Sequence, residues 1–337
     1  MNARSILRIA GGLALALVLS TAAQAQLFRA YLAIGGNDAN PCTLPQPCRL
    51  LPAALNAVAD GGEIWLLDSA NYNTATVNVT KSVNILAVPG AVGSVVATGG
   101  PAISIATAGV RVSLRNLVIV PLPGGGGTEG VLMTNGASLT VEQSLLSGMS
   151  GVAILVNAPA TVKIADTTIR GGLDGVRLQD GARATITRSV IGTVGTSYAV
   201  HVWGTTAGTL TTASIADSTL ESGWVGAFAF SENATATVKL EVRGCQVDRN
   251  AYGLYAMSSM GGTATLAASG NLVASTSFQA LAADGAGAKA WAAGNMVADN
   301  GTGLAALNGG VFESAGDNAV RHNNVGKFGT ITVVATE

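Results

Sequence analysis

The sequence predicts an all-β fold, a parallel β-solenoid in which short strands stack coil upon coil. The first observation is a repeat from Gly130 to about Gly329, in which a small residue precedes an apolar-x-apolar step. The step returns roughly every 21 to 27 residues, which is the spacing of stacked solenoid coils. The steps begin at Gly130, Gly151, Gly175, Ala199, Gly226, Gly253, Ala280 and Gly303.

A column of small polar residues is the second observation. Its members follow most of the steps by about 14 residues, again at the coil spacing: Asn116, Ser144, Thr167, Ser189, Ser218, Cys245, Asn271, Asn295 and Asn318. Like positions in stacked parallel strands lie ~4.8 Å apart, so Asn side chains in one column can bond to one another in a ladder. Asn also tolerates the left-handed backbone of a sharp corner, so we expect these residues to form the corners. Turn preference alone does not explain so many returns in register.

Composition is the third observation. Only 11% of the residues are charged and 4% are aromatic, while glycine numbers 44. Small and β-branched side chains suit narrow stacked coils better than a bulky globular core. The formal net charge of −1 gives no electrostatic argument for a nucleic-acid partner or an anionic membrane. We therefore predict no nucleic-acid binding.

Residues 1–25 are predicted to be a signal peptide. Arg4 and Arg8 form a positive region, Ile9 to Leu19 is an apolar run, and Ala23-Gln24-Ala25 fits a small-x-small cleavage site. The run is too short for a spanning helix, and no later segment is apolar for the ~18 residues that a span needs. The sequence therefore predicts bacterial export, a secreted or periplasmic mature chain, and no membrane insertion of that chain.

The three cysteines take two interpretations. Cys42 and Cys48 bracket a short loop with two prolines, and an oxidising compartment favours a disulfide between them. A zinc site is the alternative, but two thiols with no nearby His make a poor ligand set. Cys245 lies in the polar column, where we expect a small, half-buried side chain. No metal site and no cofactor is predicted.

The predicted domain organisation is a cap followed by a solenoid. Residues 26–75 are expected to form an N-terminal cap that carries the Cys42–Cys48 loop, and 76–337 the stacked coils. Within the cap, Arg49 to Ala59 reads as a helix with Leu51 and Leu55 on one face. An open solenoid end would expose strand edges and core, so this helix is the candidate covering element.

These features resemble a known superfamily. The run Gly-Gly-Asn-Asp-Ala-Asn-Pro-Cys at 35–42, then Pro-Cys-Arg at 47–49 and the coils with their Asn column are similar to the right-handed parallel β-helix proteins of the pectin-lyase-like superfamily. The resemblance spans residues 30–335 and implies a right-handed parallel β-helix of roughly ten coils. That superfamily contains polysaccharide lyases and hydrolases, phage tailspikes and adhesins, so the resemblance does not imply an activity.

The sequence shows no recognisable catalytic motif. The clustered carboxylates, calcium-binding aspartates and arginine base of the superfamily's enzymes have no matching motif here. Asp166 and Asp217 share one column two coils apart, with Arg188 between them. That places the carboxylates about 10 Å apart, wide even for an inverting glycosidase. We expect a surface ion-pair row there and assign no catalytic residue.

An aromatic stripe is the candidate binding site. Seven of the 15 aromatic residues lie between Tyr198 and Tyr255. Strand alternation turns one face of three successive coils outward with aromatic side chains and places polar side chains beside them. The candidate ligand-binding residues are Arg177, Gln179, His201, Trp203, Phe228, Phe230 and Tyr255. Two alternatives remain: a neighbouring loop, Thr205 to Thr209 or Ser231 to Thr235, covers the rings, or a register shift turns Phe228 and Phe230 into the coil.

Three functions follow from this pattern. The first is an exported, non-catalytic β-helix that binds a polysaccharide, a cell-surface glycan or another surface through the stripe. The second is a divergent polysaccharide lyase or glycoside hydrolase whose carboxylates follow no recognised pattern. The third is a structural β-solenoid in which the stripe is a homo-oligomer interface.

Overall fold

The computed structural model describes residues 26–335, so the predicted signal peptide lies outside the described residues. The described chain is a parallel β-helix with one short helix, α1, and three sheets of thirteen, eleven and eleven strands. Each full coil contributes one strand to every sheet. The two eleven-stranded sheets therefore correspond to about eleven coils, and the predicted all-β solenoid is confirmed.

The thirteen-stranded sheet is called sheet 1, and the two eleven-stranded sheets are called sheets 2 and 3. Along the chain, each central coil passes through sheet 2, then sheet 1, then sheet 3. Sheet 1 contains β1 Leu27–Leu32, β2 Val58–Leu66, β5 Val83–Ala87, β8 Arg111–Arg115, β11 Ser138–Glu142, β14 Thr161–Ala165, β17 Arg183–Thr187, β20 Leu210–Ala216, β23 Thr237–Arg243, β26 Thr263–Ser269, β29 Ala288–Ala293, β32 Val311–Ser314 and β35 Ile331–Val333. Sheet 2 contains β4 Val77–Val79, β7 Ile103–Ile105, β10 Val131–Met133, β13 Val152–Asn157, β16 Asp174–Gln179, β19 Tyr198–Gly204, β22 Val225–Ser231, β25 Tyr252–Ser258, β28 Gln279–Asp284, β31 Thr302–Leu307 and β34 Val325–Phe328. Sheet 3 contains β3 Ala70–Asn71, β6 Gly93–Ala97, β9 Leu117–Pro121, β12 Leu145–Ser147, β15 Thr168–Arg170, β18 Val190–Gly192, β21 Thr219–Glu221, β24 Gln246–Asp248, β27 Leu272–Ala274, β30 Met296–Ala298 and β33 Ala319–Arg321.

A narrow core of Val, Ile, Leu and Ala runs along the inside of the coils. Strand alternation puts one side chain in two inside, as in β23, where Val238, Leu240 and Val242 are buried and the residues between them are exposed. Each buried column continues through the stack, because the paired strands keep like positions side by side. Burial of these columns is the main stabilising contribution that the repeat provides.

The apolar steps align in sheet 2 with one exception. Val176, Val200 and Ala227 pair in register as predicted. In the coil at Gly151, however, Ile154 rather than Val152 pairs with Val131, so the alignment of that step was wrong by two residues. A shift of two keeps the same side chains inside. The small residue that opens a step is needed for space, because a Cβ on Gly175 would collide with Ile191.

The corner between sheets 1 and 3 differs from the prediction by one residue. The left-handed residues there are Asn116, Gln143, Asp166, Arg188, Asp217, Gly244, Gly270 and Gly294. Each of them directly precedes the residue in the column position. In the first of these coils that residue is Leu117, so Asn116, which was predicted to belong to the column, lies at the corner. The expectation that column residues adopt the left-handed conformation was therefore wrong for all of them except Asn116. The corner residue turns the chain, and the next side chain then bonds along the stack.

The Asn column forms the predicted ladder. Asn295 Oδ1 accepts bonds from both the backbone N–H and the side-chain amide of Asn271, at 3.0 and 2.9 Å. Asn318 does the same for Asn295, at 3.0 and 2.7 Å. Where the column carries Ser, the hydroxyl accepts the backbone N–H of the coil before, as Ser218 does from Ser189. Cys245 is a free, fully buried member of the column.

A second ladder, which the sequence analysis missed, runs along the corner between sheets 3 and 2. Asn323 Oδ1 accepts from the backbone and amide nitrogens of Asn300, at 3.0 and 2.8 Å. Asn300 in turn accepts from the backbone of Thr276, and Asn250 from that of Gly223. Left-handed residues precede these positions as they do at the first corner. Between Gly223 and Asn323, side-chain bonds along the stack thus occur at two corners of the coil.

The N-terminal end is covered by the helix and the cysteine loop. Helix α1 spans Leu51–Ala57 and is shorter than predicted, since Val58 already begins β2. Its buried residues Leu51, Ala54 and Leu55 face the first coil. The predicted Cys42–Cys48 disulfide is present, and its loop pairs with the edge strand β1. Strands β1 to β3 of this segment join the solenoid sheets, and the boundary at residue 75 stays a prediction.

The predicted ion-pair row is present only in part: Arg188 pairs with Asp166, while the described residues show no ion pair between Arg188 and Asp217. Arg188 donates two hydrogen bonds to Asp166 of the preceding coil, at 2.8 and 2.7 Å. The Arg188 hydrogen bonds hold the pKa of the Asp166 carboxyl below its usual value. Both side chains are well exposed, so the pair contributes little to stability.

Candidate functional site

The aromatic stripe lies on the outer face of sheet 2. One column runs Arg177, His201, Phe228, Tyr255, and a second runs Gln179, Trp203, Phe230, Met257, Asp284. The residues between them on each strand, such as Val200 and Ala227, belong to the core inside the coils. The register is therefore as predicted, and the alternative that places Phe228 and Phe230 inside the coil is excluded.

The stripe is more buried than predicted. Phe228 and Tyr255 are 7% and 8% exposed, and His201 is 4% exposed. Phe228 and Tyr255 form a small second core on the outside of sheet 2, against which Phe230, Tyr252 and other side chains pack half-buried. The expectation that Phe228 and Tyr255 face solvent openly was thus wrong, because the neighbouring rings cover them. Trp203 and Phe230 remain half-buried.

Part of the stripe is a stack of parallel rings. The His201 and Phe228 rings lie 5.3 Å apart, and those of Phe228 and Phe230 5.2 Å apart, with interplanar angles of 18° and 9°. Trp203 lies nearly parallel to His201 at 5.1 Å. These are offset-stacking distances, so much of the face of each ring is in contact with a neighbouring ring. The stack stabilises the face of the sheet but is not a broad open platform.

A buried charge pair supports the stack from the preceding coil. Asp174 is completely buried and accepts bonds from Arg177, at 2.7 Å, and from the backbone N–H of Tyr198, at 3.1 Å. The Arg177 guanidinium also lies 5.6 Å from the Trp203 ring centre. Arg177 therefore contacts both Asp174 and Trp203. It is not free to bond a ligand at the edge of the stripe, contrary to what the sequence suggested.

His201 sits between this pair and the aromatic rings. Its Nδ1 lies 3.5 Å from Asp174 Oδ2, beyond a well-formed hydrogen bond, and neither ring nitrogen has a hydrogen-bond partner among the described residues. Burial lowers the pKa of His201 from its ordinary value, and the nearby Asp174 only partly opposes this. The imidazole is neutral at pH 7 and too enclosed to bond a surface ligand.

The open part of the site is a cleft of about 400 Å³ beside the stack. Its wall is formed by Tyr198, Trp224, Val225, Phe228, Phe230, Tyr252, Tyr255, Met257 and Asp284. Asp284 accepts a hydrogen bond from the Tyr255 hydroxyl at 2.8 Å. Burial, then the bond to Asp284, raises the pKa of Tyr255. The cleft thus combines apolar ring surface with a few fixed polar groups, as small-ligand sites do.

The sequence predicted some of the residues that line the cleft but not all of them. Phe228, Phe230 and Tyr255 line it, whereas Arg177, Gln179, His201 and Trp203 lie beside it. Trp224, Tyr252 and Asp284 were not assigned to the site. Trp224 lies in the turn before β22, and Tyr252 is the first residue of β25. Counted from the buried Leu254, strand alternation would turn Tyr252 into the coil, so it does not predict this position. Their sequence signal was only the local density of aromatic residues.

A loop reaches the stripe at one point. Glu232 follows strand β22 and accepts a hydrogen bond from the Trp203 indole N–H at 2.9 Å. Trp203 nevertheless stays half-buried. The loop residues predicted as a cover therefore touch one edge of the stripe and leave the cleft open.

A second groove lies on the outer face of sheet 1. It measures about 240 Å³ and is lined by Trp291 together with the charged residues Lys239, Glu241, Lys289 and Glu313. Trp291 is its only aromatic lining residue. Substitutions in this groove can therefore serve as controls for substitutions in the aromatic cleft.

Two features are absent from residues 26–335. In that range, no group of three or more His, Cys, Asp or Glu side chains is placed to hold a metal ion. None of the described helices has the length and apolar character required to cross a membrane.

Solved structures with the same architecture differ widely in sequence. A complex of XylC with xylose matches with a TM-score of 0.58 at 8% identity, covering 83% of this chain and 69% of that one. Pectate lyase Pel9A matches with 0.52 at 12% identity, covering 86% and 78%. PfbA, a surface adhesin of Streptococcus pneumoniae, matches with 0.59 at 11% identity, covering 89% and 93%. At such identities the likeness shows the fold alone.

Sequence comparison places the chain more specifically. No curated protein matches it. The family model described as the right-handed β-helix region matches residues 129–325, which is more than half of the chain. These residues include the aromatic cleft and most of both ladders. The chain belongs to the right-handed β-helix family.

Proposed function

We propose that the chain is an exported, non-catalytic binding protein that holds a polysaccharide or cell-surface glycan in the aromatic cleft. The observation that most supports this proposal is the cleft itself, which has a volume of about 400 Å³ and is lined mainly by aromatic rings. Sugars present apolar C–H faces that pack on such rings, while hydroxyl groups need fixed polar partners. Asp284 and the Tyr255 hydroxyl bonded to it are polar groups of that kind at the wall.

Exposed aromatic side chains at the rim support this proposal. Trp224 and Phe278 are 36% and 44% exposed, although they pack edge to face at 6.0 Å. Phe278 is also stacked on Tyr252 at 5.0 Å. Large exposed apolar side chains grouped on one surface usually mark an interaction site. The rim would then extend the contact beyond the cleft.

Carboxylate placement favours binding over cleavage. Glycosidases act with two carboxyl groups at most about 9.5 Å apart. Asp284 is the only carboxylate at the described wall of the cleft. Asp174 lies four coils away, about 19 Å at the strand spacing, and is buried against Arg177. A divergent lyase or hydrolase remains the alternative function, and product analysis distinguishes it.

Export is part of the proposal. The Cys42–Cys48 disulfide supports an oxidising compartment such as the periplasm or the extracellular space. Among the structural relatives, the surface adhesin PfbA and the xylose complex of XylC are compatible with a surface or glycan partner. The signal peptide at 1–25 belongs to the same proposal.

The test is a calorimetric binding screen of the chain from Gln26 against a panel of oligosaccharides, with chromatography of the products. We expect one glycan class to bind without being cleaved. Trp224→Ala should weaken that binding at least tenfold, whereas Trp291→Ala, on the opposite groove, should leave it unchanged. Equal affinity of wild type and Trp224→Ala, or loss of binding only in Trp291→Ala, would reject the cleft. Shortened products would establish the enzyme alternative, and a concentration-dependent dimer lost in Trp224→Ala would establish the oligomer interface.

A further inference from the structure

The walls of the aromatic cleft face in several directions. Tyr255 is nearly perpendicular to Tyr252, at 82° and 5.2 Å, and to Phe228, at 71° and 5.8 Å. Trp224 is turned 65° from Tyr252 at 5.5 Å. The rings therefore form a box with differently directed faces, unlike the parallel stack at Trp203. Ring faces carry negative electrostatic potential, and a box of them favours a cation.

The charge in the box has one sign. Asp284 is the only charged side chain among the described residues that line it. Arg177, the cation of the stripe, is bound to the buried Asp174 at 2.6 Å. The described wall of the cleft contains no cationic side chain, and the two hydrogen bonds to Asp284 come from the neutral Tyr255 and Asn308.

Asp284 also has bonding capacity left. Its Oδ2 accepts from the Tyr255 hydroxyl and its Oδ1 accepts from the Asn308 amide at 2.7 Å. A carboxylate has about four acceptor sites, so each oxygen retains one. The two existing bonds hold the carboxylate in place at the edge of the box.

We propose that the ligand of the cleft carries a free ammonium group, and that it is an oligosaccharide of amino sugars that are not N-acetylated. This inference rests on the proposed glycan-binding function and names its ligand class. The ammonium group donates to the open sites of Asp284, and the partly exposed rings of Tyr252 and Trp224 add cation–π attraction. The C–H face of the sugar packs on the remaining aromatic surface.

The same features argue against other sugars. A uronic acid would bring its carboxylate against Asp284 and the ring faces, which repel anions. An N-acetylated sugar is neutral and gains neither the ion pair nor the cation–π attraction. A quaternary ammonium compound has no N–H to donate to Asp284, and it fills only a small part of a 400 Å³ cleft.

The experiment compares two tetrasaccharides, β-1,4-linked glucosamine and its fully N-acetylated counterpart, by titration calorimetry at pH 6.5. Choline chloride is the third probe. We expect the glucosamine tetramer to bind at least tenfold more tightly than the acetylated one, and choline to bind more weakly than either. The preference should shrink when the salt concentration rises from 0.05 to 0.5 M, because the ion pair at the mouth of the cleft is screened.

Variants identify the group responsible. Asp284→Asn should remove most of the preference for the glucosamine tetramer, and Glu313→Gln, a carboxylate of the sheet 1 groove, should keep it. Equal or tighter binding of the acetylated tetramer overturns the ammonium inference but leaves the glycan-binding function standing. Tighter binding of choline than of the glucosamine tetramer overturns the amino-sugar assignment. Absence of binding by every sugar in the wider panel overturns both. The wild-type comparison decides the matter even if Asp284→Asn fails to fold.

Discussion

At the scale of single residues, His201 is the unusual member of the site. It is enclosed by the ring stack, with Asp174 and Arg177 on the coil before it and Glu232 beyond Trp203. Both ring nitrogens are buried without hydrogen-bond partners among the described residues. A buried polar group in that state destabilises the fold by roughly 1–3 kcal/mol. The histidine is therefore a weak point in an otherwise apolar stack.

The first prediction concerns the pH dependence of stability. Burial lowers the pKa of His201 in the folded state, so the unfolded chain binds a proton near pH 6.5 that the folded chain does not. The free energy of unfolding should therefore fall as the pH drops from 7.5 to 5.5, by at most about 1.4 kcal/mol for one such group. His201→Phe should remove that slope and be at least as stable as wild type at pH 7.5. His322→Phe, at an exposed position, should keep it. An equal slope in His201→Phe and wild type would contradict the assignment.

At the scale of structural elements, the two corner ladders connect neighbouring coils, most completely in the C-terminal part of the stack. The amide of Asn295 is bonded to Asn271 on one side and to Asn318 on the other. Its Nδ2 donates to the Ala268 carbonyl at 2.9 Å as well. An apolar side chain of similar size cannot make any of these bonds. The polar column thus fixes the register that hydrophobic alternation alone leaves free to slip by two residues.

The second prediction tests this ladder. Asn295→Leu should leave the groups on Asn271 and Ala268 unpaired and lower the free energy of unfolding by about 1–3 kcal/mol for each. Asn84→Leu, on the exposed outer face of β5, is the matched control and should change it by less than about 0.5 kcal/mol. Thermal melting followed by circular dichroism measures both. A melting temperature of Asn295→Leu equal to that of the control would show that the ladder does not contribute to stability.

These elements also show what the sequence could predict. The repeat predicted the coils and the first ladder, because a period in apolar and polar positions follows directly from stacking. It missed the one-residue offset of the corner, since a sequence does not distinguish the residue that turns from the residue that bonds. The second ladder has a signal in hindsight, because Asn250, Asn300 and Asn323 follow first-ladder positions by five residues. The cleft could not be completed, because Trp224 lies in the turn before β22 and Tyr252 at the first position of β25, where strand alternation does not predict an outward side chain.

At the scale of the whole molecule, the solenoid is closed at its N-terminal end by a cross-linked cap. The Cys42–Cys48 loop lies along β1, the first strand of sheet 1, and helix α1 lies on the first coil. An unprotected edge strand would invite pairing with another chain. The disulfide holds the loop in this protective position.

The third prediction concerns this cap. Replacing Cys42 and Cys48 by Ser should lower the free energy of unfolding by about 2 kcal/mol, the chain-entropy value for so short a loop. Cys245→Ser is the matched control, because other coils already carry Ser in that column. Denaturant melts of the two variants give the comparison. Native protein whose Cys42 and Cys48 both react with an alkylating reagent would refute the bond.

The central claim is that the outer aromatic cluster of sheet 2 is a recognition surface and not only a second core. A crystal structure of the chain with the tightest-binding oligosaccharide of the panel tests it most directly. The account predicts a sugar ring packed in the cleft against Tyr252 or Trp224, with a polar group of the sugar within hydrogen-bonding distance of Asp284. A sugar bound in the sheet 1 groove at Trp291, with the aromatic cleft unoccupied, would contradict it.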